Sequence, residues 1–506
     1  MGSVTPQLSE LEAQKEEIQS KLGPKLSPNA AIAFPSSDEY ESSNLRFTEY
    51  ERPTYFAAVK PTCEQDIVET VRFARSRSIG FSVRSGHHCV TTTMRRLQNG
   101  ILIDMRSINH MTFDADKQQA TVGGGVITDD FAKFLQGVGM EVTVGSCPTT
   151  GVIGVAFGAG LGRLQGKYGY LNDNMVSCRL VLADGSVVVA SKESHPDLFW
   201  AIRGAGHNFA IALEATFKVY PQESGGLHHS WDLEYKLDQC EAVFETLNQV
   251  HEIMPPALSI FVLWRRESAG GHKVGCFQIC YRSLAHRMQH LILINLVWSA
   301  QPDAAAPWVQ RFEALNPVLN SGKVSCTWAD LPWETYGGQN KALSRPEVWK
   351  FAPNKMMGAV SVKSFDLKTT RAFFESVKEM NEKWAGKGWF GAMFECLHRT
   401  REFPDDHSAF PWRWGSNHFL MMTATPVDMQ DREAFETHLD KWKKTFIEVS
   451  GYGRLQQYVN YGNTTSTMRD PPEALYGYEP WRLEKLRALK RLYDPDNVFC
   501  WYQPLL

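Results

Sequence analysis

Residues 145–176, GSCPTTGVIGVAFGAGLGRLQGKYGYLNDNMV, constrain this chain more than any other stretch. Small residues crowd the run from Gly145 to Gly162, which leaves few side chains with which it could hold itself together by packing. Glycine at this density suits backbone that bends sharply or comes close to another group. A second punctuated segment, VRSGHHCV at 83–90, lies about one supersecondary unit upstream. Cradling a pyrophosphate requires backbone N–H groups exposed at glycines or at a helix start, and 84–88 and 151–162 both offer that. By composition alone the same residues read equally as a pair of tight turns.

A chain of 506 residues exceeds what one core supports, so two or more domains are expected. With 43% hydrophobic and 22% charged residues it has an ordinary globular composition. The net charge of -3 supplies no basic face for nucleic acid. No apolar run reaches membrane-spanning length, and MGSVTPQLSELEAQKEEIQSKL lacks the apolar core of a secretory signal. Pro6 stands where a myristoylation motif wants Ser or Thr, so a cytoplasmic protein with no membrane partner is expected. The ten cysteines form no C-x-x-C pair, and no zinc spacing or H-E-x-x-H occurs, so no metal is expected and most cysteines read as buried thiols. Neither G-x-x-x-x-G-K-[ST] nor G-x-G-x-x-G is present, so any bound nucleotide is held without those signatures.

In chain order, residues 8–22 form an amphipathic helix through Leu8, Leu11, Ile18 and Leu22 within a solvated lead-in. From Phe56, strands and helices alternate. PTCEQDIVETVRFARSRSIG is a helix with Ile67, Val68, Val71 and Ala74 on one face, followed by the strands FSVRSG, GILIDM and QATVGGGV. TDDFAKFLQGVG is a helix opened by Thr128 as N-cap, and CRLVLADGSVVVAS a hairpin turned on Asp184-Gly185. Beyond Pro221 the texture changes: twelve of the fifteen tryptophans lie between Trp231 and Trp442, in an aromatic core or around an aromatic pocket. A final helix carries Leu483, Leu486 and Leu489 inward and stops at Asp494-Pro495.

Several ordered motifs carry a family resemblance. Arg84-Ser85-Gly86-His87-His88 resembles the R-S-G-G-H of the berberine-bridge-enzyme-like branch of the vanillyl-alcohol-oxidase flavoproteins, with His87 in place of the second glycine. Cys147-Pro148-Thr149-Thr150-Gly151 resembles its C-P-T-V-G, and GVIGVAFGAGLGRLQGKYGYLNDN its glycine run. DLFWAIRGAGHNFAIALE resembles D-L-F-W-A-L-R-G-G-G-x-N-F-G-I-V-T-E, while YVNY at 458–461 and RLYDPDNVF at 491–499 resemble the C-terminal signatures. The resemblance implies an α+β fold: a two-part FAD-binding domain of the PCMH type, a substrate domain built on an antiparallel sheet, and a C-terminal segment returning to the FAD domain. The expected boundaries are 1–46 for the lead-in, 47–221 for the FAD domain, 222–455 for the substrate domain and 456–506 for the returning segment. It further implies FAD attached twice, through the 8α-methyl to His88 and through C6 to Cys147. Arg84, Ser85, Gly86, His87, Thr150, Gly151, Gly154, Gly158, Gly160, Asn208, Ile211 and Asn460 complete the implied cofactor set.

Oxidation by such a flavin needs hydride transfer to N5 while a base takes a proton from the substrate hydroxyl. Tyr461 stands where the family's cannabinoid synthases carry their catalytic tyrosine; otherwise it is a packed aromatic. The usual carboxylate or glutamine after F-P-H-R is replaced by Met421, which leaves acid–base work to other groups. Alternation in WFGAMFECLHRT puts Met393, Glu395 and Leu397 on one face, so Glu395 is either a pocket carboxylate or half of a salt bridge. His418 is either a pocket base or solvent-facing. Thr150 occupies the family's oxygen-gate position at near-valine size, which implies dioxygen as the acceptor and hydrogen peroxide as the product. The expected substrate is a bulky aromatic or polycyclic secondary metabolite. A redox-neutral isomerase or cyclase and a carbohydrate oxidase are the alternatives on the same scaffold.

Overall fold

The computed structural model describes residues 8–268, 288–344, 346–398, 403–413 and 418–506. Cys276 and Cys280, the most closely spaced cysteines, lie outside them. Three sheets of four or more strands, besides one two-stranded pair, organise the described residues. In the first, Tyr55–Lys60 and Phe81–Arg84 both pair in parallel with Gly100–Asp104, while Ala31–Ala33 adds an antiparallel edge. The runs YFAAV and GILID are buried throughout, as strands of a parallel sheet covered on both faces must be. The helix Glu64–Ser76 lays Ile67, Val68, Val71 and Ala74 against this sheet, the face that its periodicity predicts.

The lead-in departs from the sequence expectation, for it is not simply solvated. Ile18 and Leu22, at the end of the helix Leu8–Lys21, are fully buried in the same core as Phe56 and Phe81. Ser27 donates from its N–H (2.6 Å) and hydroxyl (2.8 Å) to the Asp66 carboxylate, which also receives the N–H groups of Thr62 and Cys63. One carboxylate thus caps a helix and pins the incoming chain.

The second sheet is antiparallel, in the order Met111–Asp114, Gln119–Gly123, Ile211–Lys218, Met175–Val181 and Val187–Ser191. Its last two strands are the hairpin expected at Asp184-Gly185, with Gly185 at φ +78° and Asp184 accepting from the N–H and hydroxyl of Ser186. The helix Thr128–Gly137 begins one residue earlier than its expected cap allows. Ile127 is the N-cap, and the Thr128 hydroxyl turns instead to Thr150.

The third sheet is a large antiparallel one. Gly388–Leu397 sits between Leu258–Ser268 and His418–Pro426, with Met356–Val362 at that edge. The helices Cys240–Glu252, Leu367–Lys383 and Arg432–Glu448 cover one face through Phe244, Phe373, Phe374 and Phe446. The tryptophans divide between both expected places. Trp231, Trp298 and Trp442 belong to this core, Trp349 and Trp389 line a cavity, and Trp264 belongs to both.

The final helix, Pro480–Tyr493, buries Leu483 and Leu486 and stops at Asp494. Lys490 pairs with Asp494 at 2.5 Å and donates to the carbonyls of Asn208 (2.7 Å) and Phe499 (2.8 Å), which draws the C-terminal segment onto the second sheet. Among the described residues, no helix is long and apolar enough to cross a membrane.

Candidate flavin site

Loop 85–90 leaves the carboxyl end of Phe81–Arg84, the end of a parallel sheet where ligands bind. Arg84 itself points away from the cavity. Its guanidinium donates to the carbonyls of Ser42 and Ser43 and lies 3.8 Å from the Asp104 carboxylate, so it anchors the loop and does not serve as an anion ligand. His87, the departure from the family pattern, occupies the left-handed region at φ +59°. That conformation costs a non-glycine residue about 1–2 kcal/mol. Its Nδ1 lies 2.9 Å from the Leu45 carbonyl and its own carbonyl accepts from the Phe47 N–H, bonds that offset the strain.

The neighbouring His88 is held on three sides. Its ring stacks on Phe47 at 4.8 Å, meets Trp349 edge-on at 5.0 Å, and places Nε2 2.8 Å from the Thr149 hydroxyl. Burial, reinforced by the Lys355 ammonium, pushes its pKa down to about 3, so the ring is neutral at pH 7. Phe47, Trp349 and Lys355 carry no motif and are invisible to sequence reasoning. Cys147 lies on the facing loop with its sulfur 3.7 Å from the same Thr149 hydroxyl, and burial pushes its thiol pKa up.

The two loops touch where each presents a glycine. A Cβ on Gly86 would lie 2.3 Å from the Thr149 carbonyl oxygen, and one on Gly151 would lie 2.5 Å from Ser85 Oγ. Thr150 donates its hydroxyl to the Cys147 carbonyl (2.9 Å) and shares a bond with Thr128 (3.0 Å), which leaves its methyl as the group to face the cavity.

Both loops open onto one cavity of about 580 Å³. Ser85, Gly86, His87, His88, Cys147, Thr150, Gly151, Gly154, Ile211 and Asn460 line it, as the motifs imply. Gly158, Gly160 and Asn208 do not. A Cβ on Gly158 would strike Asn460 at 2.2 Å, and one on Gly160 would strike Leu171 at 2.5 Å, so both glycines serve close packing. Asn208 is fully buried and binds the C-terminal segment, through Nδ2 to Tyr476 and Gln503 and through Oδ1 to the Leu505 N–H. His207, beside it in RGAGHNF, lines the cavity instead and packs on Tyr502 at 4.2 Å.

The same cavity is lined by Glu395, on the strand Gly388–Leu397 and 3% exposed. Alternation holds: Met393 and Glu395 face the cavity while Phe394 and Cys396 enter the helix-covered core. Its Oε1 accepts from the Tyr461 hydroxyl at 3.0 Å, and its Oε2 has no hydrogen-bond partner among the described residues. Burial pushes the carboxyl pKa up to about 7, against smaller lowering by Tyr461 and the Arg163 guanidinium. Burial also holds the Tyr461 phenol well above 10, with Glu395 adding to the effect.

His418 is a correction. Met421, Thr423 and Thr425 of its strand face the cavity, so the opposite parity sends His418 into the helix-covered core, stacked on Phe365 at 4.5 Å and beside His251 at 4.3 Å. It is buried, and it is neither solvent-facing nor a pocket base.

The comparisons agree with this architecture. An FAD binding domain matches residues 56–191, and a berberine and berberine like segment matches 457–505. The FAD-linked oxidoreductase alt4 of Alternaria solani is 61% identical over 494 residues, covering 97% of this chain and 96% of that one. The chain belongs to the berberine-bridge-enzyme-like FAD-linked oxidoreductases. The FAD-linked oxidoreductase srdI of Neurospora crassa is 29% identical over 494 residues, covering 95% and 91%. Among solved structures, the wild-type berberine-bridge-enzyme-like protein 1 of Physcomitrella patens superposes with a TM-score of 0.77 at 21% identity, covering 97% and 99%. A glucooligosaccharide oxidase of Acremonium strictum gives 0.77 at 19%, covering 97% and 98%. At these identities the structures establish a shared fold.

The residues of this FAD-linked oxidoreductase fit the cofactor. The N–H groups of Gly86, His87 and His88 donate to no other described residue, as a phosphate cradle requires. A Cβ on Gly154, in the helix Val152–Gly158, would meet nothing within 4 Å, so backbone there is bared to the cavity.

Proposed function

We propose that this protein is an FAD-dependent oxidase of a bulky aromatic or polycyclic secondary metabolite, with dioxygen as acceptor and hydrogen peroxide as product. In this reading His88 bonds the 8α-methyl of the flavin and Cys147 bonds C6, and the protein works in the cytoplasm. What carries the proposal is the convergence, in one cavity, of His88, Cys147 and a buried carboxylate, Glu395, with one unpartnered oxygen.

FAD, when bound, accepts a hydride from the substrate carbon and passes two electrons to dioxygen. Glu395 takes the proton of the substrate hydroxyl on Oε2, the oxygen that nothing else occupies among the described residues. A pKa of about 7 suits a base working near neutrality, since half of the groups are ionised and the proton is still held strongly enough to be drawn off. Tyr461 stays protonated and donates to Oε1, which fixes the carboxylate and leaves the second oxygen without a partner among the described residues. Trp264, Trp389, Met393 and Met421 provide an apolar wall for a flat substrate body. The Thr150 methyl keeps the oxygen-gate position near valine size.

A redox-neutral isomerase or cyclase remains the second reading, because a carboxyl with pKa about 7 can give a proton as readily as take one. Anaerobic mixing with the metabolite separates the two, since an isomerase forms product without bleaching the flavin. For the primary reading, peroxide release is measured with hydroxylated polycyclic metabolites and with oligosaccharides. Release with oligosaccharides alone would favour a carbohydrate oxidase. The tethers are tested by mapping peptides of the denatured protein: one flavin joined to peptides containing His88 and Cys147 is expected, and a colourless precipitate would overturn the two-bond reading.

A further inference from the structure

Thr149 has no role in the reaction proposed above, yet its hydroxyl lies 2.8 Å from His88 Nε2 and 3.7 Å from Cys147 Sγ. Its position is fixed from outside the cavity, because the Thr149 carbonyl is packed so closely on Gly86 that a Cβ there would lie 2.3 Å away. We propose that Thr149 is a positioning residue for flavin attachment, its one hydroxyl setting the tautomer of His88 and the direction of the Cys147 thiol. The inference rests on the two-bond reading above.

A neutral imidazole has one N–H and one lone pair, and which nitrogen holds which is set by the bond that the other makes. When Thr149 Oγ1 accepts from Nε2–H, the lone pair sits on Nδ1. His88 is neutral at pH 7 because it is buried, so that lone pair is available without a prior deprotonation. In the first attachment Nδ1 bonds the 8α carbon, and that carbon loses one hydrogen as a proton. Alkylation at Nδ1 makes the ring cationic until the Nε2 proton leaves, and the hydroxyl that accepts from Nε2–H stands on its way out. The two electrons of the broken C–H bond pass through the flavin to dioxygen, which takes them with both protons as hydrogen peroxide.

The second attachment balances in the same way. The Cys147 S–H and the flavin C6–H are lost, an S–C6 bond forms, and a second dioxygen leaves as peroxide. Here the Thr149 hydroxyl turns donor. Hydrogen bonds from Thr149 lower the pKa of a thiol that burial otherwise raises, so they favour the thiolate that attacks. One rotatable hydroxyl can serve both steps: it accepts from Nε2–H in the first and, once that proton has left, turns to donate to the Cys147 sulfur in the second.

The test compares Thr149→Val, Thr149→Ala and Thr149→Ser with the parent, each full chain purified as expressed with its bound FAD. Intact mass after denaturation and peptide mapping divide the chains into unattached, His88 only, Cys147 only and both. Thr149→Val keeps the shape and removes the hydroxyl, and is expected to cut the doubly attached fraction at least about tenfold, leaving Cys147 open to iodoacetamide. Thr149→Ser restores the hydroxyl and is expected to match the parent. Should Thr149→Val fold poorly, Thr149→Ala carries the same expectation. A parent carrying both bonds alongside valine and alanine variants that do the same would overturn the role of Thr149 and leave the two-bond reading standing. A parent carrying no attached flavin would overturn both.

Discussion

Glu395→Gln should make this protein more stable and less active, with both effects growing in the same pH range. The ordinary carboxyl pKa is 4.5, and burial lifts that of Glu395 to about 7 in the folded chain. A pKa raised on folding means that the folded state favours the protonated form. Below the unfolded value both states are protonated and the folded state incurs no penalty. Between pH about 4.5 and 7 the unfolded chain releases its proton first, so stability falls as pH rises, and above 7 the loss is complete. The difference of about 2.5 units corresponds to about 3 kcal/mol at 1.36 kcal/mol per unit, an upper figure because water in the cavity screens the charge. Glutamine stays neutral at every pH. The variant should therefore exceed its parent by about 1 kcal/mol at pH 5 and by about 3 kcal/mol at pH 8, measured by urea unfolding of the flavin-loaded proteins. Removing the proposed base should at the same time cut peroxide formation by about 10²–10⁴-fold and abolish the rise in rate with pH through neutrality expected of the parent. A carboxylate that merely supports the fold would behave oppositely: its loss would destabilise at all pH values and leave turnover per flavin intact. That result would refute the assignment.

Tyr461→Phe removes the donor that lowers the Glu395 pKa, so the rising limb of the pH–rate profile should move to higher pH and the rate at pH 7 should fall about tenfold or more; an unmoved profile would count against the pair. Gly86→Ala drives a Cβ onto the Thr149 carbonyl and should cost about 1–3 kcal/mol, with weaker flavin retention read from absorbance after gel filtration. Gly154→Ala meets open space within a helix, so the flavin-free chain should gain up to about 1 kcal/mol while flavin loading falls; unchanged loading would show that the cofactor passes elsewhere. Thr150→Val should leave the rate of flavin reoxidation by dioxygen unchanged, since the hydroxyl is already bound to Cys147 and Thr128, whereas Thr150→Leu should slow it about tenfold or more in stopped-flow mixing.

Local chemistry was legible where a single element decides the outcome. The buried stripe of Glu64–Ser76 and the Asp184-Gly185 turn follow from periodicity and turn chemistry. Glu395 could be placed on a face because WFGAMFECL interrupts its apolar residues with one carboxylate. His418 could not, for HFLMMTATP is apolar at both parities and packs on both faces, so only its pairing with the neighbouring strand, Met421 opposite Met393, decides which set meets the cavity. Arg84 and Asn208 were read as cofactor groups because they sit in motifs, yet their partners come from Ser42, Ser43, Tyr476 and Gln503, far away along the chain. The collar of His88 has the same origin. Phe47, Trp349 and Lys355 converge only once the chain ahead of Tyr55–Lys60 has packed on the segment that leads into Met356–Val362.

The glycine run itself takes on a different meaning when each glycine is asked what a side chain there would strike. Gly151 faces Ser85, Gly158 faces Asn460, Gly160 faces Leu171 and Gly162 faces the Val144 carbonyl, each so closely that a Cβ would lie 2.1–2.5 Å from a protein atom. Gly154 is the position within the helix Val152–Gly158 that opens on empty space. Most of the run is therefore small so that protein can approach protein. Asn460 bonds Tyr458 at 2.7 Å and the Val155 carbonyl at 3.2 Å, and the Tyr458 hydroxyl accepts from the Gly160 N–H at 3.3 Å. At the far end of the run, Arg163 reaches Asn295 (2.6 Å) and Tyr336 (2.5 Å) at the third sheet. The same backbone that bares Gly154 to the cavity thus seats the segment carrying Tyr461 and braces the sheet carrying Glu395. Cys147 and Glu395, the proposed tether and base, lie more than two hundred residues apart, and the small residues between Gly145 and Gly162 are what allow them to share one cavity.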